Sequence, residues 1–301
     1  GYDIRLRGVT SRSDPGILVV VDGIPYSDNN ANALNKINPQ DIENITILKD
    51  AQAAIYGARA AGGVLLVTTK KGKTEKPTIS YTGNFNFNTP ASVPQKVNVL
   101  QHIEMMGELY ANDGISNHFF THLLPYVNTA DIYSKNPEVV KGPFGDTPDL
   151  VLGWHDWWKE MYGTAFDHSH NLSISGGSEK SNYYASIGYL DQGSMFNYGE
   201  HNNKKYWGRF KYEYNLNKYI KLRSNVYVGR KKVTEPYDIN QLAWLTYWTW
   251  NCQPTFNPQG QYYGSGGFGN PIAFAEHTGN RWKTYYSYYT QLGFDITLLK
   301  T

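Results

Sequence analysis

Beyond Pro77 the chain takes on a period of two and keeps it over segments long enough to cross a membrane. Ile79, Tyr81, Phe85 and Phe87 share one face, while Ser80, Thr82, Asn84 and Asn86 share the other. This is the pattern of a strand with one apolar and one wet side. It recurs at Asn171 to Ser175, Asn182 to Asp191, Lys205 to Asn217, Tyr219 to Gly229 and Tyr285 to Leu299. Eleven residues at roughly 3.3 Å each, tilted about 45°, rise about 26 Å, close to the ~25 Å apolar band of an outer-membrane barrel. The connections alternate in length: long from Thr89 to Phe166, tight at Gly176 to Lys180, medium at Gln192 to Lys204, tight at Asn217-Lys218, and long from Arg230 to Lys283. Short turns on one side and long loops on the other are a barrel signature.

A soluble antiparallel sandwich also alternates with period two, but its buried face favours Val, Leu and Ile. Here the apolar face reads Tyr206, Gly208, Phe210, Tyr212, Tyr214, against Arg209, Lys211 and Glu213. A water-filled lumen tolerates those charges. Tyr, with 25 copies, outnumbers Leu, which ordinarily heads the list in soluble domains. The longest aliphatic stretch, Ile17 to Val21, is far below the ~18 residues of a membrane helix. Mean hydropathy of -0.54 suits a barrel or a soluble protein equally. Net charge of +2 gives no basis for nucleic acid as a partner, and the single cysteine, Cys252, excludes an internal disulfide framework and a Cys-based zinc cluster.

Residues 1–70 follow a different grammar. Ile4 to Arg7, Ile17 to Val21, Ile45 to Leu48 and Val64 to Thr69 are short aliphatic strands alternating with short helices. Asn38-Pro39 supplies an N-cap followed by Pro at the first helical position. Ala51 to Ala61 reads as a helix capped by Asp50, with Gly57, Gly62 and Gly63 marking its exit. Residues 71–77 are charged and turn-rich and read as a linker. Residues 78–301 follow as barrel wall, with long loops at 89–166 and 230–283. Within the first, Asn98 and Gln101 cap a helix carrying Leu100, Ile103, Met106 and Tyr110 at helical spacing.

The strings IRLRG (Ile4 to Gly8), LVVVDGIP (Leu18 to Pro25), INPQDIENITILKDAQAAIYGARAAGGVLLVTTKKG (Ile37 to Gly72) and LSISGGSEKSNYYASIGYLDQG (Leu172 to Gly193) resemble the SusC/RagA family of TonB-dependent outer-membrane transporters. The resemblance implies an α/β plug domain followed by antiparallel transmembrane β-barrel strands, about six of the family's 22. It implies import of an oligosaccharide or oligopeptide with the plug gating the barrel, in the outer membrane of a Gram-negative bacterium. The implied partners are the TonB complex, reached through an N-terminal extension absent before Gly1, and a SusD-like surface lipoprotein lid. No cofactor and no metal are expected. On this reading the chain is a segment with most of its barrel downstream, and an open sheet should not be stable alone. A soluble, aromatic-rich carbohydrate-binding β-protein is the alternative. An enzyme ranks third, because no nucleophile, base and orienting group come together.

Several residues carry functional expectations beside plainer ones. Arg5 and Arg7 share a strand face and Arg59 ends the Ala-rich segment, so the three form a candidate latch to lumen carboxylates or simply solvated charge. Asp22-Gly23-Ile24-Pro25 is sufficiently explained as a turn. The glycines fit no phosphate-binding pattern. His168 and His170 share a face, read as the lumen face, where they need no metal; His155 and Asp156 lie nearby in sequence. Trp154, Trp157 and Trp158 in the first long loop, and Trp244, Tyr247, Trp248 and Trp250 in the second, fall on the same side and offer either substrate or lid contacts. Local packing or an aromatic girdle explains them equally.

Overall fold

A computed structural model describes residues 16–26, 37–115, 120, 123, 138–140, 150–264 and 269–298. The first unit is a four-stranded sheet in which β1 (Leu18–Val21), β2 (Ile24–Pro25), β3 (Ile42–Leu48) and β4 (Val64–Thr69) take the order β2-β1-β4-β3. β1 runs parallel to β4, and the other pairs are antiparallel. An unbroken aliphatic run suits a strand covered on both faces. Val19 and Val21 pack with Ile37, Leu65 and Val67 on one side, while Val20 packs with Val64, Ala53 and Ala60 on the other. Ile4 to Arg7 lies outside the described residues.

Asn38 caps a single turn, Pro39–Asp41, its side chain accepting from Gln40 N at 3.1 Å. The Ala-rich segment departs from expectation. It is a 3-10 helix over Asp50–Ala60 with Lys49, not Asp50, at the cap position, and it is interrupted where Gly57 takes φ 72°, ψ -161°. Ala propensity favours a continuous α-helix, but that glycine conformation breaks the ladder.

The second unit is a six-stranded meander of β5 (Thr78–Asn88), β8 (Ala165–Gly177), β9 (Ser181–Gln192), β10 (Asn202–Asn215), β11 (Ile220–Pro236) and β12 (Asn280–Ile296). Its register explains the alternation. Tyr81, Leu172, Ile187, Gly208, Val228 and Tyr288 stand side by side across the six strands. The large side chains in this row are exposed, up to 76% at Tyr288. One residue along, Ser80, Ser173, Ser186, Arg209, Tyr227 and Tyr289 form the opposite face, which looks onto the first unit. An apolar face that none of the described residues covers and a polar face that is covered reverse the soluble pattern, and lipid is the solvent that suits the former. Among the described residues β5 and β12 are each paired on one side only.

Several strands outrun the sequence reading. β8 starts at Ala165, β11 continues to Pro236 and β12 starts at Asn280. The added residues, such as Asp167, Lys231 and Glu235, are polar and broke the pattern, yet the backbone ladder carries on past the apolar band. Between β4 and β5 the chain runs against β9: a Cβ on Gly72 would lie 2.3 Å from Tyr183 N, so only glycine fits. Gly177 N then donates to Glu75 O at 3.0 Å.

The two long connections fold together. In the first, α1 (Val99–Asn112) carries the expected capping box between Asn98 and Gln101 and buries Val99 and Ile103 with Phe120, Leu123, Leu152 and Cys252. α2 (Trp157–Met161) in the first loop meets α3 (Ile239–Trp248) and α4 (Pro271–His277) in the second. Trp157, Met161, Leu242, Ile272 and Ala275 form their shared core. A short two-stranded piece, β6 (Glu138–Val140) with β7 (Leu150–Leu152), completes the elements. Lys96 Nζ donates to Tyr247 O at 2.9 Å and Thr249 O at 3.2 Å, placing a cation at the carbonyl end of α3.

Trp157 is 0% exposed and its Nε1 donates to Trp250 O at 3.0 Å. Trp157→Ala is expected to cost about 3–5 kcal/mol of local stability by opening a cavity. In hydrogen exchange on the whole protein, protection should fall in both α2 and α3 while that of β9 and β10 is kept; unchanged protection in α3 would show that the loops are independent.

Candidate functional site

The first unit and the wall meet at a buried cluster of charges. Asp41 closes the turn opened by Asn38-Pro39, and is 0% exposed. Its Oδ1 accepts from Tyr184 OH at 2.9 Å and Ser186 Oγ at 2.7 Å, and its Oδ2 accepts from Arg209 Nε at 3.2 Å. All three donors come from inward positions of β9 and β10, which the period of two sets on one face. Arg209 Nη1 also donates to Asn225 Oδ1 at 3.2 Å, and the guanidinium lies 5.0 Å from the Tyr227 ring centroid. Beside it, Asn38 Nδ2 donates to Asn171 Oδ1 at 3.0 Å.

Asp22 supplies the second carboxylate. It sits just after β1 with φ 49°, a left-handed conformation that Asp tolerates better than most residues. Its Oδ1 accepts from Thr69 N at 2.9 Å, and its Oδ2 from Thr69 Oγ1 at 2.6 Å and Asn225 Nδ2 at 3.0 Å. Lys211 Nζ stands 3.0 Å from the same Oδ2 and also donates to Thr69 O at 3.0 Å. Arg209 Nη1 is 4.0 Å away. Burial pushes the Asp22 carboxyl upward, but the Lys211 charge and the two Thr69 hydrogen bonds outweigh it and hold the group below the usual aspartate range. A turn alone therefore does not account for Asp22: the turn aims a carboxylate at the wall.

The cluster is self-neutralising, with two carboxylates from the first unit and two cations from the wall. Removing one partner of such a set strands a buried charge and costs about 3–5 kcal/mol. The junction thus carries its carboxylates on the first unit and its cations on the wall, the reverse of the charge arrangement expected for the latch. Of the three arginines proposed for it, Arg5 and Arg7 lie outside the described residues, and Arg59 is exposed with no carboxylate beside it among the described residues. The signal that could have found the true pair was present: Arg209 and Lys211 alternate on the wet side of β10, and each needs a counter-charge if that side is covered.

His168 and His170 correct a second expectation. They fall in register with Asp191 and Tyr189, on the outward face with Tyr81 and Leu172, not the lumen face. His170 Nδ1 is 2.7 Å from Tyr81 OH, and the two imidazoles hydrogen-bond to each other at 3.2 Å. They extend an aromatic girdle. His155 packs on Trp157 with ring centroids 4.2 Å apart, and burial lowers its basicity against the raising influence of Glu160 and Asp156.

The tryptophans separate into two kinds. Trp157 is interior, a correction to its place among the contact residues, since a ring sealed between three helices meets no ligand. Trp250 is half-buried against Phe120, with centroids 4.9 Å apart. Trp154, Trp244, Tyr247 and Trp248 are exposed, and Trp158 stacks on Tyr162 at 5.1 Å. Trp248 lies 6.1 Å from Trp244 and 5.4 Å from Tyr247, so α3 presents a continuous aromatic surface.

Residues 1–64 match the TonB-dependent Receptor Plug Domain family. The chain is 34% identical to the TonB-dependent receptor SusC of Bacteroides thetaiotaomicron over 204 residues, which is 65% of this chain and 17% of that protein. It is 32% identical to the TonB-dependent receptor P26 of Formosa agariphila over 286 residues, 90% of this chain and 25% of that one. The chain thus spans about a quarter or less of these relatives. Among solved structures, the RagAB peptide importer in its closed-closed state superposes with TM-score 0.62 at 24% identity, over 86% of this chain and 30% of that one. That likeness is one of fold.

Two outcomes follow for the whole protein. Arg209→Met and Asp41→Asn should each loosen the junction, by about 3–5 kcal/mol for the former, and the double variant should cost less than their sum. Exchange protection of β1 and β4 measures this, and strict additivity would contradict the pairing. Because Asp22 is depressed, its stabilisation is fully present above the ordinary aspartate value of 3.8 and is lost as pH falls through the lower folded value. Junction protection, corrected for intrinsic exchange rates, should therefore hold at about pH 5 and fall only below about pH 4. Loss centred near neutrality would exclude this carboxylate as the cause.

Proposed function

We infer that this chain, the plug and opening wall strands of a SusC/RagA-like TonB-dependent transporter in the outer membrane of a Gram-negative bacterium, serves energy-coupled nutrient import. Residues 1–70 are the plug, 71–77 the linker and 78–301 the first part of the wall with its outer loops. One observation carries the reading: a separately folded α/β unit is docked by a neutral, buried charge cluster on the polar face of a sheet whose other face is exposed and apolar.

That arrangement supports a gate. The plug is held by side-chain contacts to the wall, so it can be displaced without breaking a covalent bond. A pull from the periplasmic side, supplied by the TonB complex through a segment preceding the plug, shears Asp22 and Asp41 from Lys211 and Arg209. Lumen water then hydrates the separated charges. The loop body sits at the opposite, long-loop end, which in barrels of this kind is extracellular. Its exposed rings, Trp154, Trp244, Tyr247 and Trp248, are the contacts for substrate or for a SusD-like lipoprotein lid, with Trp158 supporting them and Trp157 and Trp250 holding them in place. Rigid aromatic faces suit both tasks. The substrate is an oligosaccharide or oligopeptide. The soluble carbohydrate-binding alternative leaves the outward apolar row without a solvent.

In cells carrying the whole transporter, collapsing the proton gradient should abolish import of its oligomeric substrate while leaving surface binding intact. Trp244→Ala with Trp248→Ala should lower binding or lipoprotein co-purification by about tenfold, as for aromatic hot spots worth 1 to 2 kcal/mol. Import that persists without the gradient removes the energy-coupled reading. Unchanged binding and co-purification in the double variant removes only the role of the aromatic surface.

A further inference from the structure

The outward face of the wall changes character near its long-loop end. From the turn side upward, β11 shows Ile220, Leu222, Ser224, Val226 and Val228, then Arg230 and Lys232. On β10 the sequence is Tyr212, Phe210, Gly208 and Tyr206, then Lys204. Lys204 stands directly opposite Lys232, and Arg230 stands between Tyr206 and Tyr286. Cross-strand like charges repel, so such a pair needs an anion nearby. The one carboxylate at this level of the outward face among the described residues is Asp191. It takes Lys204 at 3.5 Å and also accepts from Tyr189 OH at 2.8 Å. Among the described residues no carboxylate pairs with Arg230 or Lys232, so the group carries a net charge of +2. Directly below it Tyr189 and Tyr206 pack with centroids 4.8 Å apart, and the apolar rows of Ile187, Val228 and Phe210 follow.

We propose that Lys204, Arg230 and Lys232 form a binding site for the phosphate group of an outer-leaflet lipid whose acyl chains lie along the apolar rows beneath. Two features favour that occupant over a soluble anion. The cations meet the aromatic girdle, the level at which headgroups sit in the bilayer. The adjoining surface is an exposed apolar strip that none of the described residues covers, and acyl chains suit it. Basic clusters beside a membrane span recognise anionic headgroups for the same reason. The site faces away from the lumen and needs neither plug nor substrate. It rests on the transporter reading only for the placement of this face in the bilayer.

The test uses the whole transporter, extracted from outer membranes and washed free of lipid in detergent. Wild type and the triple variant Lys204→Ala, Arg230→Ala, Lys232→Ala are titrated with lipid A bearing its phosphates and with the same lipid dephosphorylated. Lys218→Ala, on the opposite turn side, is the control. The triple variant should bind the phosphorylated lipid about a hundredfold more weakly, because three cations at the headgroup level are lost together. Wild type should bind the dephosphorylated lipid no better than the triple variant does. The double variant Lys204→Gln, Lys232→Gln, which keeps most of the side-chain bulk, should show a smaller loss in the same direction. Phosphorylated-lipid affinity within about twofold of wild type in both variants, or indifference of wild type to the phosphates, overturns the proposal. Membrane fractionation separates the two readings. A protein retained in the outer membrane with unaltered lipid affinity loses only this site, whereas one absent from the outer membrane removes the transporter reading as well.

Discussion

The contact of Asp41 with Arg209, Tyr184 and Ser186 fixes how the two units sit together. A fully buried carboxylate is tolerated only where each oxygen is satisfied, and here the three donors all come from the wall. Moving the plug by one residue along β9 or β10 would point the donors away, because neighbouring positions face the other side of the sheet. The junction is therefore specified by register as much as by charge. Asp22 adds a second fixed point through Lys211 and Asn225, and two points on one rigid sheet define an orientation where one would leave a pivot. Thr69 contributes to both ends of this arrangement, binding Asp22 from within the plug and offering its carbonyl to Lys211.

The wall obeys one rule along its length, with different solvents on its two sides. Inward positions are mostly polar because the plug meets them, and outward positions are mostly apolar up to the level of Tyr189, Tyr206 and Tyr286. Beyond that level the rule relaxes, and Asp191, Lys204 and Lys232 appear on the outward face. The backbone ladder does not relax with it, which carries β11 on to Pro236 with polar residues on both faces. The loop body begins where the ladder stops. Its cores draw on both long connections at once, so the helices are held by each other: Lys96 grips the end of α3, and Trp157 reaches Trp250.

Much of this was legible in the sequence, and the misses share a cause. Alternation revealed all six wall strands, because period two is a strong local signal. The α1 cap was equally plain in Asn98 and Gln101. Asp-Gly-x-Pro explains a turn by itself and hides the role of Asp22, which depends on Lys211, almost two hundred residues away, and no local pattern holds that. Arg59 pairs with no carboxylate of the six described strands, and no local pattern names a distant partner for it. Polarity alone assigns His168 and His170 to the lumen face, whereas counting twos from Leu172 places both outward. Composition groups Trp157 with its neighbours, yet on a helix positions 157 and 158 point in different directions and only one of them is interior.

On the proposed gating, the same cluster lets a plug be firmly seated and still displaced. A substitution at Arg209 leaves Asp41 in place, dry and unpaired, which is the most costly state available to it. Undocking is different, because both partners leave the dry contact together and both regain water. The desolvation that makes each ion pair only weakly stabilising when docked is refunded on separation. Net attraction across the junction is therefore modest, while its tolerance of error is low. A gate needs that combination: misplacement is penalised steeply, and concerted removal by an external pull is opposed mainly while the charges are parted but not yet wet. On that proposal the donors on β9 and β10 would stay in the wall, and a returning plug would meet the same pattern of Tyr184, Ser186, Arg209 and Lys211 that it left.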